Sequence, residues 1–244
     1  MNLVIDQGNT FNKIGVFDKG QLEYSYSSKS LDENTLKQLQ VNYPIKNVII
    51  SSVRDKVEQS AIFNGSEKVF GSSNILLLDT NTPVPFKNEY LSPQTLGKDR
   101  IAALAGAYNL FPDNPKLIID AGTAITIDYL RSDNVFNGGN ISPGLQTRFN
   151  SLKQNTGKLP LLELNNNSPF LGQNTQEAIW SGVQNSLIFE IEGYINHFKT
   201  LNSNTKTILT GGDVDFFANN LKNRIFVIPN LVLTGLNTIL DYNA

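Results

Sequence analysis

Two periodicities alternate along this chain, a two-residue repeat that reads as strand and a longer repeat that reads as helix. The apolar run Leu3-Val4-Ile5 precedes a glycine turn, and the alternating stretch Lys13-Ile14-Gly15-Val16-Phe17 returns from it as the second strand of a hairpin. Residues 21–27 alternate as a third strand, 31–40 carry helical spacing, and Val48-Ile49-Ile50 reads as a short buried strand. A helix over 54–63, short strands at Val69-Phe70 and 75–78, a Pro-, Thr- and Asn-rich loop over 79–93 and a small-residue helix from about Gly97 follow. From Lys116 the pattern restarts, with strands at 117–120, 123–130 and 135–141 and helices over 144–153 and 175–199. A strand at 206–210, a helix at 213–221, a strand at 225–228 and a helix at 231–241 complete it. Two halves that open in the same order predict an α/β protein of duplicated domains, 1–112 and 113–244. Each is expected to hold a mixed sheet flanked by helices, with a cleft between them that receives one loop from each.

Composition narrows the partners. The 244 residues are 40% hydrophobic, enough for buried cores. Twenty basic and 22 acidic side chains leave a net charge of -2, without the electrostatic footprint of a nucleic-acid or anionic-membrane binder. The expected partner is a small molecule. There is no cysteine, so disulfides and thiolate metal sites are excluded, in keeping with a reducing compartment. Residues 1–5 enter a strand pattern at once and no apolar run approaches the roughly 20 residues of a spanning helix. The expected location is the cytoplasm.

The candidate chemistry sits where the repeats open. Asp6-Gln7-Gly8-Asn9-Thr10 and Asp120-Ala121-Gly122-Thr123-Ala124-Ile125-Thr126 each carry an aspartate out of an apolar strand into a glycine turn that ends in a hydroxyl. Glycine lets the turn present its N-H groups, and the aspartate is able to hold a hydrated cation against phosphate oxygens. One such pentapeptide is equally an ordinary hairpin turn; its recurrence after the first strand of both halves points to a paired phosphate cradle. Thr210-Gly211-Gly212-Asp213, between a strand and a helix, adds a place where a ligand can approach the backbone closely. Asp99 and Arg100 fall in the first turn of the small-residue helix, where unpaired N-H groups and the dipole favour a carboxylate.

Asp6-x-Gly8-Asn9-Thr10-x-x-Lys13, Gly97-Lys98-Asp99-Arg100, Asp120-Ala121-Gly122-Thr123-Ala124-x-Thr126, Gly139-x-Ile141-x-Pro143-Gly144 and Thr210-Gly211-Gly212 occur in this order. Together they resemble type III pantothenate kinase, a branch of the superfamily of acetate and sugar kinases, actin and heat-shock chaperone ATPases. The resemblance runs from about residue 2 to the last helix, and implies two ribonuclease H-like domains with a nucleotide cleft between them. It implies ATP-dependent phosphorylation of pantothenate, with ATP contacted by Asp6, Gln7, Gly8, Asn9, Thr10, Phe11, Asn12, Lys13, Gly122, Thr123, Gly211 and Gly212. Asp99 corresponds to the family's proton acceptor, and Tyr90, Gly97, Lys98, Asp99, Arg100 and Thr175 to its substrate contacts. Asp6 would hold a divalent cation, magnesium, partly through water, and Asp120 a monovalent one, potassium or ammonium. A homodimer is also implied, formed along the long helix.

Several residues keep a second reading. Thr175 or Asn174 has the position of a helix cap, with Glu177 completing a capping box. Ile179, Val183, Leu187, Ile188 and Ile191 serve a dimer interface or an intrachain core equally. Gln146-Thr147, ahead of Arg148-Phe149, departs from the family pattern and is expected to stand apart from the chemistry. His197, the single histidine, reads as a surface or helix-end residue. Rival functions are a sugar or carboxylate kinase of the same superfamily, which both turns would serve, and a nucleotide-binding transcriptional accessory protein that lacks turnover.

Overall fold

The computed structural model describes residues 1–8 and 11–244, Ser73 by its backbone alone. Asn9 and Thr10, expected in the first phosphate turn, lie outside the described residues. The chain forms two compact units, one of residues 1–112 and 230–244, the other of 113–229.

In the first unit β1 (Asn2–Gln7), β2 (Asn12–Asp18) and β3 (Gln21–Ser28) form an antiparallel meander. β4 (Asn47–Ser52) and β5 (Ile75–Leu77) join in parallel, giving the order β3-β2-β1-β4-β5. The helices α1 (Glu33–Asn42) and α2 (Lys56–Phe70) start where aspartates satisfy exposed N-H groups: Asp32 accepts from Thr35 N at 2.8 Å, Asp55 from Val57 N and Glu58 N at 2.9 Å. Leu36 and Leu39 of α1 and Ile62 of α2 pack on Leu3, Ile5, Ile14, Val16, Val48 and Ile50. Val69 and Phe70, expected as a strand, are the last turn of α2. The helix runs on until Gly71, whose φ of 82° ends it while its N-H donates to Glu67 O. A two-residue strand β6 (Lys87–Asn88) precedes α3 (Lys98–Leu110).

The second unit repeats the plan. β7 (Lys116–Ala121), β8 (Ala124–Leu130) and β9 (Val135–Pro143) are antiparallel, while β10 (Lys206–Thr210) and β11 (Phe226–Val227) continue in parallel beyond β7. α4 (Leu145–Asn155), α5 (Thr175–Leu201) and α6 (Val214–Asn220) cover one face. Leu117, Ile119 and Ala121 point into that layer against Phe149, Leu187, Ile191 and Phe217. Ile179, Val183, Leu187 and Ile191 of α5 are thus core residues of this unit.

The last helix, α7 (Leu231–Tyr242), packs with the first unit, not with residues 113–229 as a division at 113–244 would have it. Asn2 Nδ2 donates to Asn237 Oδ1 at 2.9 Å and Asp241 Oδ1 at 2.7 Å, and Asn243 Nδ2 donates to Pro83 O at 2.9 Å. α7 also meets α3 backbone to backbone. A Cβ at Gly235 would lie 1.7 Å from Ala102 O, and one at Gly106 2.5 Å from Leu231 O.

Lys116 is fully buried at the start of β7, its ammonium donating to Asn134 Oδ1 at 2.6 Å. Burial lowers its pKa to about 8, against the partial opposition of Asp113. An unfolded lysine titrates near ~10.4, so between these values the unfolded chain holds the extra proton and stability rises with pH. We expect the gap in unfolding free energy between the parent and Lys116→Met to widen in the parent's favour from about pH 8 to about 10.5. Urea denaturation at both limits checks this; parallel curves would refute it.

Candidate active site

Strand alternation decides which residues of the first turn face a ligand. Gln7 and Asn12 stand opposite one another on the α1/α2 side of the sheet, both buried. Gln7 Oε1 accepts from Ser52 Oγ at 2.7 Å, and Asn12 Nδ2 donates to Lys29 O at 3.3 Å. Their side chains turn inward and fix the base of the turn. Asp6 and Lys13 face each other on the opposite side, Lys13 exposed. Asn2, on that same face, bonds to α7, so Asp6 emerges on the side of the sheet that α7 covers and α3 joins. Phe11 is exposed at the turn.

Arg54 completes this turn and was not read from the sequence. Its Nε donates to Gly8 O at 2.8 Å, its Nη1 lies 3.5 Å from Glu58 Oε1, and Val53 N donates to Gln7 O. Gly8 N in turn donates to Phe11 O at 3.0 Å. A guanidinium half-sunk beside this turn adds positive charge there. Arg54 lies in the short Val53-Arg54-Asp55 segment directly after β4, and nothing local in that segment signals the contact.

Asp99 occupies the first turn of α3. Its Oδ1 accepts from Arg100 N at 2.9 Å and folds back over Gly97, where a Cβ would come within 2.4 Å of it. Gly97 therefore makes room for the carboxylate. Arg100 is buried, its guanidinium 5.6 Å from the centre of the Tyr90 ring. Lys98 is half-buried, which lowers its pKa, while Asp79 draws it back up. Asp79 itself is held below the usual carboxylate range, chiefly by Asn81 N-H, with Thr82 and Lys98 adding to the effect.

In the second unit Asp120 lies on the face of β7 opposite Ile119 and Ala121, as Asp6 lies opposite Ile5. Gly122 N donates to Ala124 O at 3.1 Å, closing the turn with Thr123 exposed. The third loop sits against the same strand end. Gly211 has φ 101° and no room for a Cβ, which would fall 2.3 Å from Ala121 O, and Asp213 N donates to that same oxygen at 3.0 Å. Burial raises the Asp213 pKa.

At α5 the capping role belongs to Asn174, whose Oδ1 accepts from Glu177 N at 3.0 Å, while Glu177 Oε2 accepts from Gln173 N at 2.9 Å. Thr175 is left to line an apolar groove of about 670 Å³ with Pro143, Arg148, Leu152, Ile179 and Val183. Arg148 is anchored there by Glu190 Oε2 at 2.5 Å and Pro143 O at 2.8 Å. His197 is exposed late in α5. Among the described residues no group of three acidic, His or Cys side chains gathers as a metal site, and no helix is long and apolar enough to cross a membrane.

The model of a protein family described as type III pantothenate kinase matches residues 2–197. A type III pantothenate kinase of Phocaeicola vulgatus is 42% identical over 243 residues, covering 100% of this chain and 99% of that protein. Among solved structures, a protein described as a Baf family transcriptional activator from Campylobacter jejuni superposes with a TM-score of 0.62 at 22% identity, covering 99% of this chain and 98% of its own. A glucokinase from an Antarctic psychrotroph gives 0.56 at 11% identity, over 100% and 99%. The likeness to these two structures concerns the fold alone, two mixed sheets flanked by helices.

Proposed function

The chain belongs to the type III pantothenate kinase family, and from that premise we propose that it transfers the γ-phosphoryl group of ATP to the primary hydroxyl of pantothenate. The product is 4'-phosphopantothenate, the first committed intermediate of coenzyme A synthesis. The observation that carries this reading is Asp99: an acidic group seated over a glycine at a helix start, on a helix joined to the sheet face from which Asp6 emerges. Asp99 accepts the hydroxyl proton as the oxygen attacks phosphorus in line with the departing ADP. A carboxylate is a weak base, but phosphoryl transfer is largely dissociative and rests on positioning and charge neutralisation.

The phosphates are held by the turn at Gly8 with Lys13, and by Gly122 and Thr123; adenosine is held by Gly211 and Gly212. Lys13, in register with Asp6 and exposed, supplies a cation beside the triphosphate. Magnesium fits this donor set, because it keeps several waters and needs only one or two carboxylates besides phosphate oxygens. Asp6 would hold it, and its charge would offset that of the phosphates. Asp120 would hold potassium or ammonium. Arg100 suits the pantothenate carboxylate, with Tyr90, Gly97, Lys98 and Thr175 completing the substrate contacts. The enzyme acts in the cytoplasm as a homodimer. Since Leu187 and Ile191 are buried in their own unit, the exposed Phe170, Leu171 and Phe189 are the apolar surface near α5 that a partner would cover.

Incubation with ATP, magnesium and either pantothenate, hexoses or acetate, with products resolved by mass, tests the assignment. Phosphopantothenate is expected, and phosphorylation of a hexose or acetate alone would overturn it. Turnover is expected to rise with potassium, and Asp120→Asn to lose most of that stimulation. Equal potassium dependence in the variant would remove the cation from Asp120.

A further inference from the structure

The second phosphate turn is gripped from behind by two groups of one helix. Thr123 O accepts from Gly144 N at 3.0 Å and from Thr147 Oγ1 at 2.7 Å, so both lone pairs of one carbonyl point to the start of α4. The approach is close: a Cβ on Gly144 would lie 1.9 Å from Gly122 O. Leu145, Phe149 and Leu152 bind α4 to the core with helical spacing, and this sets the phase that turns Thr147 towards the turn.

We propose that Thr147 is a positioning residue for ATP, acting through the carbonyl of Thr123. The 123–124 peptide is trans, as are all peptide bonds among the described residues, so the Ala124 N-H points opposite to the Thr123 carbonyl. Tying that carbonyl to α4 fixes the tilt of the 123–124 peptide, and with it the side to which the N-H and the exposed Thr123 hydroxyl are presented. Thr147 itself does not touch the ligand. Its hydroxyl removes the freedom of the turn to rotate its carbonyl towards the phosphates, where an oxygen dipole would repel them. Gln146-Thr147, set apart from the chemistry in the sequence, thus includes a residue that supports it.

The inference rests on the assignment of Gly122 and Thr123 to the ATP phosphates, and its test is kept separate from pantothenate turnover. Calorimetric titration with magnesium and a non-hydrolysable ATP analogue would compare the parent, Thr147→Val and Thr147→Ser. Valine keeps the shape and removes the donor; serine restores it. We expect affinity to fall about tenfold in Thr147→Val, the loss of one hydrogen bond, and to return to within about twofold in Thr147→Ser. In steady state the ATP KM should rise in Thr147→Val with kcat and the pantothenate KM little changed. Unchanged analogue affinity in Thr147→Val overturns the role, as does a serine variant as weak as the valine one. If the parent binds the analogue but does not phosphorylate pantothenate, the kinase reading falls while the affinity series still decides Thr147.

Discussion

Asp99→Asn is expected to lower pantothenate phosphorylation by about 10²- to 10⁴-fold, the range over which a positioned base contributes. The amide keeps the size of the carboxylate and its Oδ1 can still accept from Arg100 N, so the geometry over Gly97 survives. Loss of the favourable charge at the start of α3 should cost only about 0.3–1 kcal/mol. Thermal unfolding should therefore shift little while kcat collapses and ATP binding persists. Parental turnover in this variant would remove Asp99 from the chemistry, and a large fall in melting temperature would make it a structural group.

Gly235→Ala should damage the protein through its fold. The new methyl would meet the carbonyl oxygen of Ala102 at 1.7 Å, with its carbon at 2.6 Å and Gly106 N at 2.8 Å, all backbone atoms of a helix that cannot swing aside like a side chain. α7 must lift from α3, and α7 also carries Leu233 against the sheet and the Asn237–Asp241 bonds to Asn2. We expect a loss of about 3 kcal/mol, the upper end of what overpacking costs, seen as a fall in melting temperature on the order of 10 °C. Activity should fall too, because α3 places Asp99. A melting temperature within a degree or two of the parent would mean that the crossing is looser than these distances state.

Local chemistry was legible in the sequence. The meanders, the short strands that follow them and the helix starts come from period and capping, which act over a few residues; so do the two aspartates at strand ends and Asp99 at a helix start. Val69-Phe70 misled because two apolar residues before a turn look the same at the end of a helix as in a strand, and only the unbroken bonds of α2 to Gly71 separate the cases.

The sequence by itself settled the hairpins that open each half and which acidic groups leave them, because alternation and glycine turns are short-range properties. Tertiary structure alone decided that Gln7 and Asn12 turn inward, that Arg54 holds Gly8 from 46 residues away and Thr147 holds Thr123 from 24. It also decided that α7 returns to the first unit. An amphipathic helix does not encode which sheet it covers, and two helix glycines read as a loss of stability until each is found against the other helix's backbone.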